Sequence, residues 1–178
     1  MSTPEEETTA EGESSPARTV TEHLPSVTGV VVGDDCSRNA HVAVQYAVDE
    51  AVRRGTDLHI VRSWTLTSAP RPSTWAVGYM PSLVEWESAV LAELEEEWAS
   101  LRERVPALHL RPVHRSPKDV LIDASDTADV VVIGARGRGG RVMDFVLGSV
   151  TDAVLKNALC PVVVIPQRQV PQGKPARG

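Results

Sequence analysis

The strongest constraint in this sequence is an alternation. Five short runs rich in Val, Ile and Leu recur between residues 28 and 165, and between them lie stretches with the periodicity of amphipathic helices. The first run, Thr28 to Gly33, reads TGVVVG and is apolar at successive positions rather than at every second one. Strands covered on both faces need that pattern, and parallel sheets are built from such strands. The remaining runs are Leu58 to Trp64, Leu108 to His114, Asp129 to Ile133 and Pro161 to Ile165.

The intervening segments carry helix signals. From Arg38 to Arg54, the residues Ala40, Val44, Ala47, Val48 and Ala51 fall on one helical face, with Ser37 placed as an N-cap and Gly55 just past the end. From about Ser82 to Arg104, Leu83, Val90, Leu91, Leu94, Trp98 and Leu101 form one stripe, with Glu93 and Glu95 to Glu97 opposite it. Ser116 and Pro117 open a third helix, and a fourth runs from about Ser149 to Ala158. This alternation predicts an α/β fold: a single-domain, open, doubly wound five-stranded parallel sheet with right-handed crossovers and helices on both faces. Pro70, Pro72 and Pro81 mark the segment before the second helix as a mobile surface loop.

Charge separates the ends from the middle. The net charge is −6, but residues 1–26 hold six Glu and one Arg, while residues 167–178 hold Arg168, Lys174 and Arg177. The expected organisation is a disordered acidic tail over 1–26, a folded domain over 27–166 and a flexible tail over 167–178. The body keeps a net of −4, which argues against general nucleic-acid binding, since that needs a basic footprint. The Arg136 to Arg141 run resembles an RNA-binding RGG patch, but it is one short run in an acidic protein.

No apolar run reaches the roughly 20 residues needed to span a bilayer. The opening MSTPEEETTAEGESSPARTV has no apolar stretch and does not read as a secretory signal. The expectation is therefore a cytoplasmic protein with no membrane partner. Cys36 and Cys160 are too few for a disulfide scaffold or a structural zinc site. His59, His109 and His114 lie on strands in no ligand spacing, so no metal site is expected.

Two loops carry the chemistry. One is Gly33-Asp34-Asp35-Cys36-Ser37, after the first strand. The other begins Gly134-Ala135-Arg136-Gly137-Arg138-Gly139-Gly140-Arg141, after the fourth. In open α/β sheets, ligands sit beyond the carboxyl ends of strands where strand order reverses. Glycines let backbone amides approach a ligand, and the helix starting near Gly148 and Ser149 adds the positive end of its dipole. An acid at Asp35 can accept from a ribose hydroxyl. Phosphate at one end and ribose at the other describe a nucleotide, although the loop satisfies neither of the two best-known phosphate fingerprints.

The segments VVVGDDCSRNAHVAVQYAVDEA and DVVVIGARGRGG…VLGSVTDAVLKNALCPVVVI resemble the opening and the C-terminal half of universal stress proteins, over about residues 27–166. The resemblance implies strand order 3-2-1-4-5, a homodimer through the last strand, and binding of ATP or a related adenine nucleotide through a G-x2-G-x9-G-[S/T] motif. By position it implies that Gly134, Gly137, Gly148, Ser149 and Val150 form the phosphate loop, with Arg136 beside the phosphates. Asp35 would contact the nucleoside, while Gly33, Ser63 and Ile133 would border the adenine. Mg²⁺ would join through bound phosphates, helped by Asp34 or Asp35.

There are departures from the family pattern. Ten residues separate Gly137 from Gly148 where the motif has nine, Arg141 replaces an aromatic or aliphatic residue, and Cys36 replaces a glycine. They motivate an alternative, a nucleotide-free protein-interaction member of the same fold. An ATP pyrophosphatase of the wider fold group is disfavoured, because GDDCS is not an SGGxDS loop. No nucleophile has a matched base, so beyond slow ATP hydrolysis the residues give no support for catalysis.

Overall fold

The computed structural model describes residues 19–137 and 147–166. Five strands, β1 (Val30–Gly33), β2 (Leu58–Ser63), β3 (Leu108–Val113), β4 (Val130–Gly134) and β5 (Val162–Ile165), form one sheet in the order β3-β2-β1-β4-β5. Every pairing is parallel. Four helices connect them: α1 (Arg38–Arg54), α2 (Leu83–Trp98), α3 (Pro117–Ala124) and α4 (Ser149–Asn157). Both the class and the strand order expected from the sequence are present.

The sheet is buried on both faces, which is why its strands read as continuous apolar runs. Val30, Val32, Leu58, Ile60, Val130 and Val132 point to one face and pack with α1 and with Leu94 and Trp98 of α2. Val31, Val61, Val131 and Ile133 point to the other, against Val120 and Leu121 of α3 and Val154 of α4.

Helix ends follow their sequence signals. Ser37 Oγ accepts from Ala40 N at 3.1 Å, and Gly55 closes α1 in the left-handed region at φ 63°. Ser82 and Glu85 make a reciprocal capping box at the start of α2. Two features of the second helix differ from the expectation. Its last turn tightens into a 3-10 helix over Ala99–Glu103, and Trp86 takes the buried place expected for Leu83, which is 39% exposed.

The proline-bearing loop before α2 is pinned as well. Tyr79 donates to both Glu85 carboxylate oxygens at 2.9 and 3.1 Å, and Trp75 meets Trp86 edge to face.

The described chain already touches the domain before residue 27. His114 N donates to the Thr21 carbonyl at 2.8 Å, Thr21 N donates to Glu87, and Val20 packs on the Trp64 and Trp86 cluster. Among the described residues, no helix is long and apolar enough to cross a membrane.

Candidate functional site

β1 and β4 are neighbours, and the chain leaves β1 toward one side of the sheet and β4 toward the other. The loops after them therefore face each other at the carboxyl edge, where the winding reverses.

The β1–α1 loop is shaped by its own side chains. Asp34 Oδ1 accepts from Cys36 N at 2.8 Å, and Asp35 Oδ1 accepts from Ser37 N at 3.1 Å. Both are the two-residue turns that Asp favours. Between them Cys36 sits at φ 58°, in the left-handed region. Glycine adopts such a φ at no steric cost, whereas Cys36 does so with its Cβ in place.

Asp34 turns away from the crevice. It is 4% exposed, and its Oδ2 accepts from Trp98 Nε1 of α2 at 3.0 Å. Asp35 faces the crevice, with Oδ2 directed at Gly137.

The described ends of the β4–α4 loop, residues 135–137 and 147–148, are held by donors from elsewhere and pack closely at their glycines. Asn39 Nδ2 donates to the Arg136 carbonyl at 3.2 Å, and Thr151 Oγ1 donates to the Gly134 carbonyl at 2.9 Å. Gly148 N donates to the Ala135 carbonyl at 2.9 Å, drawing the two ends of the loop together. A Cβ on Gly134 would lie 2.5 Å from Asn39 Nδ2. A Cβ on Gly137 would lie 2.6 Å from Asp35 Oδ2, so the carboxylate and the glycine loop are in direct apposition. Gly148, the residue before α4, has no side chain to cap the helix, so among the described residues its first amides are left to other acceptors.

The ten residues expected at the site separate into two groups. Asp35, Gly134, Arg136, Gly137, Gly148 and Ser149 gather around the crevice. The other four are placed by packing or by strand ends. Ile133 is buried, so only its backbone can border a ligand. Val150 packs toward the α3 and α4 side, and a Cβ on Gly33 would meet Leu121 Cδ1 at 3.1 Å. Ser63 ends β2, one strand over from β1, with no hydrogen bond to either loop among the described residues. Arg138, Gly139, Gly140, Arg141 and the extra loop residue lie outside the described residues.

Two contributors escaped the sequence reading, Asn39 and Thr151. Both sit in the first turn of a helix, on its inward side, and only the fold reveals that those turns look at the same loop.

Beneath the crevice lies a buried polar cluster. Arg62, 4% exposed, places Nη1 2.8 Å from Glu93 Oε2 and also touches Cys36 Sγ. The Arg62–Glu93 contact is an ion pair without good hydrogen-bond geometry. Burial, and then the Asp34 charge, push the Cys36 thiol up to about 12, against the opposing pull of Arg62. The thiol stays protonated, the reverse of a reactive cysteine at a helix start. A separate groove of about 520 Å³ opens between the β2–α2 loop and α2, and none of the ten expected site residues lines it.

The model of the universal stress protein family matches residues 28–166. The chain belongs to that family. It is 36% identical over 141 residues to a universal stress protein of Mycolicibacterium smegmatis, spanning 78% of this chain and 46% of the relative. It is 34% identical over 144 residues to universal stress protein Rv2623 of Mycobacterium tuberculosis, spanning 77% and 47%. The chain thus spans about half the length of these curated relatives.

Solved structures repeat the fold. UspA of Lactobacillus plantarum aligns at TM-score 0.54 and 24% identity, over 80% of this chain and 99% of its own. A universal stress protein in complex with cAMP aligns at TM-score 0.56 and 23% identity, over 81% and 100%.

Proposed function

We propose that this chain binds an adenine nucleotide, ATP in the first instance, in the crevice between the β1–α1 and β4–α4 loops, and acts as a regulatory binding module rather than as an enzyme. The observation that carries the reading is the apposition of Asp35 with Gly137, a carboxylate set directly against a glycine backbone. Asp35 accepts from a ribose hydroxyl. The amides around Gly134, Gly137, Gly148 and Ser149, with the uncapped start of α4, receive phosphate oxygens. The Ser149 hydroxyl, exposed at that helix start, adds a donor, and Arg136 supplies positive charge beside the phosphates. Gly33, Ser63, Ile133 and Val150 border the nucleotide through backbone or strand-end positions, and Mg²⁺ enters only with the bound phosphates. Family relatives found with cAMP or dAMP bound lend weight to adenine as the base.

The family resemblance further supports a homodimer through β5, whose Val162–Ile165 strand lies at the edge of the sheet. The test is chemical. Protein purified without added nucleotide is denatured, and the released small molecules are identified by mass spectrometry. ATP is then added to the stripped protein in a thermal-shift assay. An adenine nucleotide in the released fraction, or a rise in melting temperature with ATP, is expected. Neither result would leave the nucleotide-free interaction protein as the better account.

A further inference from the structure

The opposite edge of the sheet, away from the crevice, holds a cluster that the spacing of histidines along the chain does not reveal. His59 and His109 are neighbours in the β2–β3 register, and Asp57 immediately precedes β2. We propose that Asp57, His59 and His109 form a binding site for a divalent transition metal of the zinc class.

Three observations carry this. Donor atoms of all three residues lie within 4.8 Å of one another. His59 is 4% exposed, and its Nε2 lies 3.1 Å from the Thr28 carbonyl, which can only accept. That fixes the proton on Nε2 and leaves Nδ1 with a bare lone pair. Nδ1 is buried and has no hydrogen-bond partner. An unpaired buried acceptor is costly, and a bound ion is one of the few things that relieves it. A histidine that donates one ring N–H to a backbone carbonyl while offering the other nitrogen is also the arrangement metal-ligating histidines adopt.

His109 and Asp57 complete the set. His109 Nε2 and Asp57 Oδ2 are 2.9 Å apart, close to the roughly 3.4 Å edge that bonds of about 2.0–2.2 Å give around tetrahedral zinc. The ion takes the place of the proton now shared between them, and that proton moves to Nδ1 of His109. The two imidazoles stack at 4.4 Å with 12° between their planes, so binding requires His109 to tilt out of the stack. Its side chain is 33% exposed and that of Asp57 is 41% exposed, which gives both room to move. Arg111, whose Nη2 is 3.5 Å from His109 Nδ1, is the one cation facing the cluster on its own strand and must withdraw slightly. Two imidazoles, one carboxylate and an open solvent position suit Zn²⁺ over Mg²⁺ or Ca²⁺, which prefer all-oxygen shells.

A second group, Asp34, Cys36 and Glu97, also has converging donor atoms. There Arg62 already occupies the space against Cys36, and the thiol is held protonated.

The test uses the full chain without an affinity tag, stripped with EDTA. It is titrated with ZnCl2 by calorimetry and with CoCl2 by visible absorbance. One ion per chain is expected, with a cobalt spectrum of tetrahedral type. His109→Ala should weaken zinc binding by about 100-fold and Asp57→Asn by about 10-fold or more, with metal-free unfolding of both variants close to wild type. Glu97→Gln should leave binding unchanged. No binding by the wild type, unaltered affinity in His109→Ala, or loss in Glu97→Gln instead would overturn the assignment. A cavity filled only by water at His59 Nδ1 would give the first of these results.

Discussion

The two loops that meet at the crevice are held in opposite ways. The β1–α1 loop is held by its own side chains: two Asp turns, a Ser cap and a buried carboxylate tied to Trp98. The described ends of the β4–α4 loop are held from outside, with Asn39 and Thr151 reaching in from helices to the Arg136 and Gly134 carbonyls. One loop presents the Asp35 carboxylate, and the described part of the other presents the glycine backbone at Gly137. A ligand with hydroxyls at one end and anionic oxygens at the other needs that division, because an acceptor and a set of donors cannot be supplied by one kind of loop.

Substitutions can break this contrast. The largest effect is expected from Asp34→Ala, which removes no ligand contact but orphans the Trp98 indole N–H and the Cys36 amide. A loss of about 2–4 kcal/mol in urea unfolding is expected, and a loss under about 1 kcal/mol would mean the first loop does not depend on its buried acid. Next comes Gly134→Ala, where the new Cβ must displace Asn39 from 2.5 Å. It should cost about 1–3 kcal/mol and lower ATP affinity as Arg136 loses its anchor. Unchanged stability and affinity would show that Asn39 moves freely. The smallest effect is chemical rather than energetic. With its thiol raised to about 12, Cys36 should resist iodoacetamide at pH 8 in the folded protein and react once denatured. Rapid alkylation of the native protein would show that the cluster under the first loop is open.

Legibility in the sequence followed the same contrast. The Val-rich runs, Ser37 and Gly55 signalled the sheet and the ends of α1, because each acts on residues a few positions away. Asp35, Gly134 and Gly137 were readable through family motif spacing. Asn39 and Thr151 were not, since their partners are 97 and 17 residues distant and only the β1–β4 pairing brings them together. Leu83 and Trp86 exchanged places because both suit a helical stripe, and tertiary packing against Trp64 and Val90 decides between them. His59 and His109, 50 residues apart in the chain, meet through strand register alone.

The account rests on bare backbone at Gly137 facing Asp35. The most direct measurement is calorimetric titration of ATP into the wild type and Gly137→Val, with circular dichroism confirming that the variant folds. At least about tenfold weaker binding in the variant is expected, because the valine side chain collides with Asp35 Oδ2 and drives the carboxylate and the loop apart. Equal affinity in the two proteins would contradict it.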